Sequence, residues 1–256
     1  MDLLSSQPLC FDLFGPLAED LGLATAALQY LRPDIRRVND IRFEWSPGRG
    51  DIRYTGNRSA FDVFIDYLGD RGRSFLGIEV KYHEDLTDVA ASDPDSRYPD
   101  IAQQHKVFRD GALPELQKLP LQQLWLDHLL ALQLGTCPDD DWDAGTFALL
   151  HPVGNTACAA AAQRYRLALT NTDTYDVRTL DDVVQADRLA CPLQAFGCST
   201  KSYTASSHGS ADAPPSGVGP GSRRSKPTSN SAFVPNTTSL SRYCAPSWNR
   251  WVISGS

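Results

Sequence analysis

The feature that most constrains the fold is residues 59–84, SAFDVFIDYLGDRGRSFLGIEVKYHE. Phe61, Val63, Ile65 and Tyr67 alternate with Asp62, Phe64 and Asp66. After Gly69-Asp70-Arg71-Gly72, the residues Leu76, Ile78, Val80 and Tyr82 alternate with Gly77, Glu79 and Lys81. Period-two alternation of β-branched and aromatic residues, broken by a Gly-bounded polar turn, specifies a β-hairpin. A turn centred between Asp70 and Arg71 sets Phe64 opposite Gly77 and Asp62 opposite Glu79. Lys81 then lies two residues beyond Glu79 on the same face. Facing carboxylates repel, and a cation between them would reverse that sign.

Carboxylate oxygens are hard ligands suited to Mg²⁺ or Mn²⁺, which keep several waters and need only one or two carboxylates. The expected metal set is Asp62, Glu79 and the backbone carbonyl of Val80. The expected catalytic set is Asp62, Glu79 and Lys81, with Lys81 orienting a water or stabilising negative charge on a phosphorane. The competing reading is an exposed strand face on which Lys81 neutralises Glu79.

The flanks supply a setting. Residues 1–15, with Pro8 and Gly15, read as an irregular lead-in. Pro16–Leu31 reads as a helix with Pro16 in its first turn, stopped by Pro33. Val38–Trp45 is a short strand ended by Ser46-Pro47-Gly48, followed by a Gly- and Arg-rich loop. Beyond the hairpin come an acidic connection, a helix over roughly 100–109, and a helix over 121–134 that is apolar on most sides and therefore buried. Thr146–Pro152 is a strand. Asn155 is the N-cap of an Ala-rich helix to about Leu169, and another helix covers about 179–189. The order is an α/β (α+β) chain with an αβββαβ core: an antiparallel three-strand meander, then a fourth strand after a long helical crossover. A mixed central sheet flanked by helices follows.

The net charge of −7 argues against nonspecific coating of nucleic acid. Residues 198–256 hold six Lys/Arg and one acid, leaving 18 basic against 30 acidic groups in residues 1–197. No apolar run approaches the ~20 residues of a membrane span, and MDLLSSQPLC lacks a signal-peptide pattern. The expected location is cytoplasmic. The six cysteines form no CxxC pair, so reduced, buried thiols are expected rather than a zinc site. In residues 198–256, fifteen of 59 are Ser and apolar residues show no period. That composition reads as a disordered tail, or as translation of a GC-rich gene in a wrong frame. The expected domains are therefore 1–190 and the tail 198–256.

Asp…Glu-x-Lys on adjacent strands within an αβββαβ order resembles the PD-(D/E)XK nuclease superfamily. More narrowly, residues 5–189 resemble a bacterial family of restriction-endonuclease-like proteins of that superfamily. The segments carrying the resemblance are SSQPLCFDLFGPLA (5–18), FEWSPGRGD (43–51), SAFDVFIDYL (59–68), GIEVKYHE (77–84), LQQLWLDHLLA (121–131) and Asn155 in HPVGN. Phe61 stands where the motif's name has proline, and the family's sequence normally continues past residue 190. The resemblance implies that Asp62 and Glu79 bind metal and that Lys81 is the catalytic lysine. It also implies a Mg²⁺- or Mn²⁺-dependent DNA endonuclease, with a homodimer compatible. Glu44 is a candidate further acid, and Gln123 a candidate site residue on the following helix. Weaker claims attach to His83 and Glu84 as groove borders, Asp66 as a backup ligand, and Arg49, Arg53 and Arg58 as phosphate contacts. The alternatives are a nuclease-fold protein that binds nucleic acid without cutting, or a decayed gene product.

Overall fold

The computed structural model describes residues 6–87 and 97–191. The tail lies outside them. Five strands form one sheet in the order β1-β2-β3-β4-β5, with β1 Ile35–Trp45, β2 Phe61–Gly69, β3 Gly72–Val80, β4 Ala144–His151 and β5 Tyr175–Thr179. The pairs β1–β2 and β2–β3 are antiparallel, whereas β3–β4 and β4–β5 are parallel. The expected meander, crossover and mixed sheet are all present.

The hairpin register is the one that the alternation specifies. Phe64 pairs with Gly77 and Val63 with Ile78, and the ladder closes at Gly69 and Gly72 around Asp70-Arg71. Gly72 has φ 103°, a conformation that side chains disfavour and glycine adopts at little cost. Gly77 serves a different purpose. A Cβ there would fall 2.6 Å from the Phe61 ring, so the missing side chain is the space that Phe61 occupies.

Seven helices flank the sheet among the described residues: α1 Ser6–Glu19, α2 Leu21–Leu31, α3 Tyr98–His105, α4 Leu113–Leu116, α5 Gln122–Leu134, α6 Thr156–Leu167 and α7 Leu180–Ala190. On one face α1, α2 and α7 cover Val63, Ile65, Leu76, Ile78, Val80 and Leu150. On the other face α3, α5 and α6 cover Phe64, Phe75, Phe147 and Leu149. Ten of the thirteen residues of α5 are buried, as its all-round apolar sequence requires.

Three expectations are corrected. Residues 6–15 form a helix rather than an irregular lead-in, because Cys10, Phe14 and Leu17 recur at helical spacing and bury against the sheet. Pro16 accordingly lies inside α1, with Pro8 in its first turn, and the break comes at Asp20, whose carboxylate caps α2 by accepting from the Leu23 N–H at 2.9 Å. A fifth strand, YDVRT, completes the edge. Its five residues carry Asp176 and Arg178, so it lacks the long apolar alternation that marks a strand in sequence. Tyr82 lies past the end of β3, though its ring still packs against the core on the α1 face.

Asn155 caps α6 as expected, accepting from the Cys158 N–H at 3.0 Å. Thr179 and Asp182 form a reciprocal capping box on α7. Cys10, Cys137 and Cys158 are free and buried.

Candidate active site

Asp62 is the second residue of β2 and Glu79 the last but one of β3. The paired positions beside them, Val63 and Ile78, carry the register outward so that the two acids come next in line. One oxygen of Asp62 accepts from the Val80 N–H at 2.8 Å, which brings its carboxylate across to the end of β3. Lys81 continues the ladder past the strand, its N–H donating to Leu150 O at 2.9 Å. Its Nζ meets Glu79 Oε1 at 2.9 Å. Gln123, on the first turn of α5, donates from Nε2 to the same Glu79 oxygen at 2.5 Å. The sequence-expected residues Asp62, Glu79, Lys81 and Gln123 thus come together on the α5 face of the sheet.

The ion pair of the competing reading exists, but not on an exposed face. Both side chains are only 8% exposed. Charges so far out of water are costly unless paired and hydrogen-bonded. Burial pushes the Glu79 carboxyl up, and the attraction of Lys81 only partly offsets this. Burial also works against the charge on Lys81, yet Glu79 outweighs it and the ammonium is held above its ordinary range. Burial, followed by the like charge of Glu79, drives Asp62 up to about 8, despite the Val80 N–H that favours its ionised form.

Glu44 sits on β1 between Phe43, paired with Val63, and Trp45, paired with Phe61, which sets it in line with Asp62. Its φ of 49° is left-handed, an uncommon state for a side-chain-bearing residue. Across this twist the Phe43 ring packs tilted on Phe11 of α1, centroids 4.6 Å apart, while Trp45 packs tilted on Phe64 toward α5 at 3.9 Å. The Glu44 carboxylate is exposed, reached by Gln7 Nε2 at 3.4 Å, and its charge helps raise both Asp62 and Glu79.

Asp127, one helical turn beyond Gln123, was not singled out in the sequence. It is 6% exposed, and burial, then the charge of Glu79, holds it well above the carboxylate range. Its signal in the sequence is that it is the one acid of α5, four residues after Gln123 and so on the same helix face. Glu84 and Asn155 form a brace for the segment carrying Lys81. Glu84 accepts from the Ser6 N–H at 2.7 Å and the Tyr82 N–H at 2.9 Å. Asn155 Nδ2 donates to Tyr82 O at 3.2 Å and Glu84 O at 3.0 Å.

Several weaker candidates lie apart. Asp66 is buried, bonded to Arg73 at 2.9 Å and Asn39 at 2.9 Å. Arg53 is paired with Asp51 at 2.6 Å and Asp139 at 2.7 Å, and Arg49 reaches Glu44 O at 3.3 Å. Beside Asp139, Asp140 accepts from the Tyr54 hydroxyl at 2.7 Å.

The model of the PD-(D/E)XK nuclease superfamily matches residues 1–196. The chain belongs to that superfamily. No curated protein and no solved structure shows a significant match to it. Membership brings nuclease activity in general, hence a nucleic-acid substrate, and nucleases of this superfamily generally use divalent metals. The five-strand mixed sheet with helices on both faces is consistent with the superfamily's fold.

The donor set fits such a cation. Asp62 and Glu79 supply two carboxyls beside a single ammonium, and burial raises both. Among the described residues no group of three or more His, Cys, Asp or Glu is placed to cage a metal. Mg²⁺ does not need one, because it takes one or two carboxylates and keeps waters. No helix among the described residues is long and apolar enough to cross a membrane.

Proposed function

We propose that the chain is a metal-dependent phosphodiester hydrolase, a DNA endonuclease working with Mg²⁺ or Mn²⁺. The observation that carries this reading is the meeting of Asp62 on β2 with Glu79 on β3, with Lys81 on a Glu79 oxygen. Asp62, Glu79 and the Val80 carbonyl are the ligands in this reading, and Glu44 is an outer acid that adds negative potential at the mouth. A divalent cation held there supplies Lewis-acid polarisation of the scissile phosphodiester and lowers the pKa of water.

The chain's own groups do the rest. Lys81 keeps its proton because Glu79 holds it above its ordinary range, so it presents a fixed positive charge to the oxygens of the pentavalent phosphorane. Gln123 and Lys81 share Glu79 Oε1, which holds the carboxylate plane and leaves Oε2 for other work. The brace of Asn155 and Glu84 fixes the backbone on either side of Tyr82 and so limits where Lys81 can go.

The test is cleavage of plasmid DNA, and separately RNA, by the purified chain with Mg²⁺ or Mn²⁺. Glu79→Ala and Lys81→Ala should each abolish cleavage while circular dichroism shows the fold retained. Absence of any cutting by the wild-type chain with either metal refutes the enzyme reading. The closed Lys81–Glu79 pair favours a second reading, in which the fold binds nucleic acid without cutting. Calorimetry showing Mg²⁺ binding with no turnover would select it.

A further inference from the structure

Two buried oxygens on α5 have no protein partner, Gln123 Oε1 and Asp127 Oδ2. The residues are four apart on one helix, so their side chains are neighbours on one face. That face looks onto Glu79, since Gln123 Nε2 donates there. Buried acceptors left bare carry a desolvation penalty that native interiors rarely keep. A single proton removes both deficits, if the Asp127 carboxyl is neutral and its hydroxyl donates to Gln123 Oε1.

We propose that Asp127 is a positioning residue that, as a neutral carboxylic acid, donates to Gln123 and thereby locks the Gln123 amide with its N–H toward Glu79. An amide has a donor end and an acceptor end of nearly equal size. Without a donor at Oε1 it can turn over and set its carbonyl against the Glu79 carboxylate, which repels it. The Asp127 hydroxyl makes that flip unfavourable. A chain then runs from Asp127 through Gln123 to the Glu79 oxygen that also holds Lys81.

The surroundings agree. The ionisable groups that interact electrostatically with Asp127 are Glu79 of β3, Lys81 just past that strand, Asp62 of β2 and the buried Tyr165 of α6. Burial first, and then the charges of Glu79 and Asp62, favour the neutral form, and only Lys81 opposes it. Asp127 itself is 6% exposed, too little for water to hydrate an ionised carboxylate well.

The inference rests on Glu79 being a cation ligand, and the experiment separates the two claims. Full-length wild type, Asp127→Asn and Asp127→Leu are compared for Mn²⁺ affinity by calorimetry and for the neutral-carboxyl C=O band in infrared spectra at pH 7. Asparagine offers an N–H where the carboxyl offered O–H, so Asp127→Asn should bind Mn²⁺ within about threefold of wild type. Asp127→Leu should bind about 10–100-fold more weakly, the usual loss when an outer partner of a ligand is removed. The infrared difference between wild type and Asp127→Asn should contain a lost neutral-carboxyl band, and this decides the matter even if the Leu variant fails to fold. The proposal is overturned if Asn weakens binding as much as Leu, if Leu binds like wild type, or if the Asn variant loses no such band. If the wild type binds no Mn²⁺ at all, the nuclease reading fails, while the infrared result still decides the state of Asp127.

Discussion

Replacing Asp62 by asparagine should make the metal-free protein more stable while destroying cleavage. Its carboxyl is raised to about 8 from an ordinary 3.8, by burial first and by Glu79 second. The folded pKa lies above the unfolded one, so the unfolded chain releases this proton more readily. The resulting penalty on the fold is absent below pH about 4, grows from about 4 to about 8, and is constant above that. At pH 7 roughly three pK units of this gap have been traversed, a ceiling of about 4 kcal/mol at 1.36 kcal/mol per unit. Asp62 is only half-buried, and solvent screening reduces the working expectation to roughly 1–2 kcal/mol. Asparagine keeps an oxygen for the Val80 N–H, which Asp62 holds at 2.8 Å, so the substitution removes charge and little else.

The assay is urea unfolding followed by tryptophan fluorescence, with the buried Trp125 as a reporter. Wild type and Asp62→Asn should unfold together near pH 4, and the variant should be the more stable at pH 7 and 8. Saturating Mg²⁺ should then favour wild type, by about 2.7 kcal/mol at a hundredfold excess over Kd, and leave the variant unmoved. A variant no more stable than wild type at pH 8, relative to pH 4, would refute the claim that burial and the charge of Glu79 hold the Asp62 carboxyl up.

Two further substitutions probe the supports of the site. Gly77→Ala places a Cβ 2.6 Å from the ring of Phe61, itself only 1% exposed. It should cost about 1–3 kcal/mol by overpacking and should lower cleavage, because Phe61 precedes Asp62; a loss under about 0.5 kcal/mol in urea unfolding would contradict this. Asn155→Ala removes the cap on α6 and both donations to Tyr82 O and Glu84 O, for about 1–2 kcal/mol in the same assay. Asn155→Asp keeps the cap but not the donations, so it should recover much of the stability and little of the cleavage rate. Full cleavage by the Asp variant would show that the brace does not position Lys81.

The hairpin was legible in residues 59–84 because two local rules agree there. Period-two alternation assigns each side chain to a face, and a two-residue turn between glycines leaves one register. From that register alone Asp62 meets Glu79, with Lys81 on their face. The cap at Asn155 was legible because donor and acceptor lie within three residues of each other. The short YDVRT edge and the helix over residues 6–15 were not. Each is held by contact with partners far along the chain, β4 in the first case and the buried sheet face in the second.

Tertiary structure alone decided the character of the site. Glu-x-Lys in sequence is equally an exposed ion pair or a buried one. Packing α5 over the end of β3 excludes water from Glu79 and Lys81, and that makes their charges costly and their pKa values abnormal. The same packing brings Gln123 and Asp127, more than forty residues downstream, onto a pair of acids set by the hairpin. Sequence therefore determined which residues share a strand face, because that depends on neighbours two positions away. Which groups lie out of water, and beside which charges, depends on long-range burial, and only the assembled sheet and helices decide it.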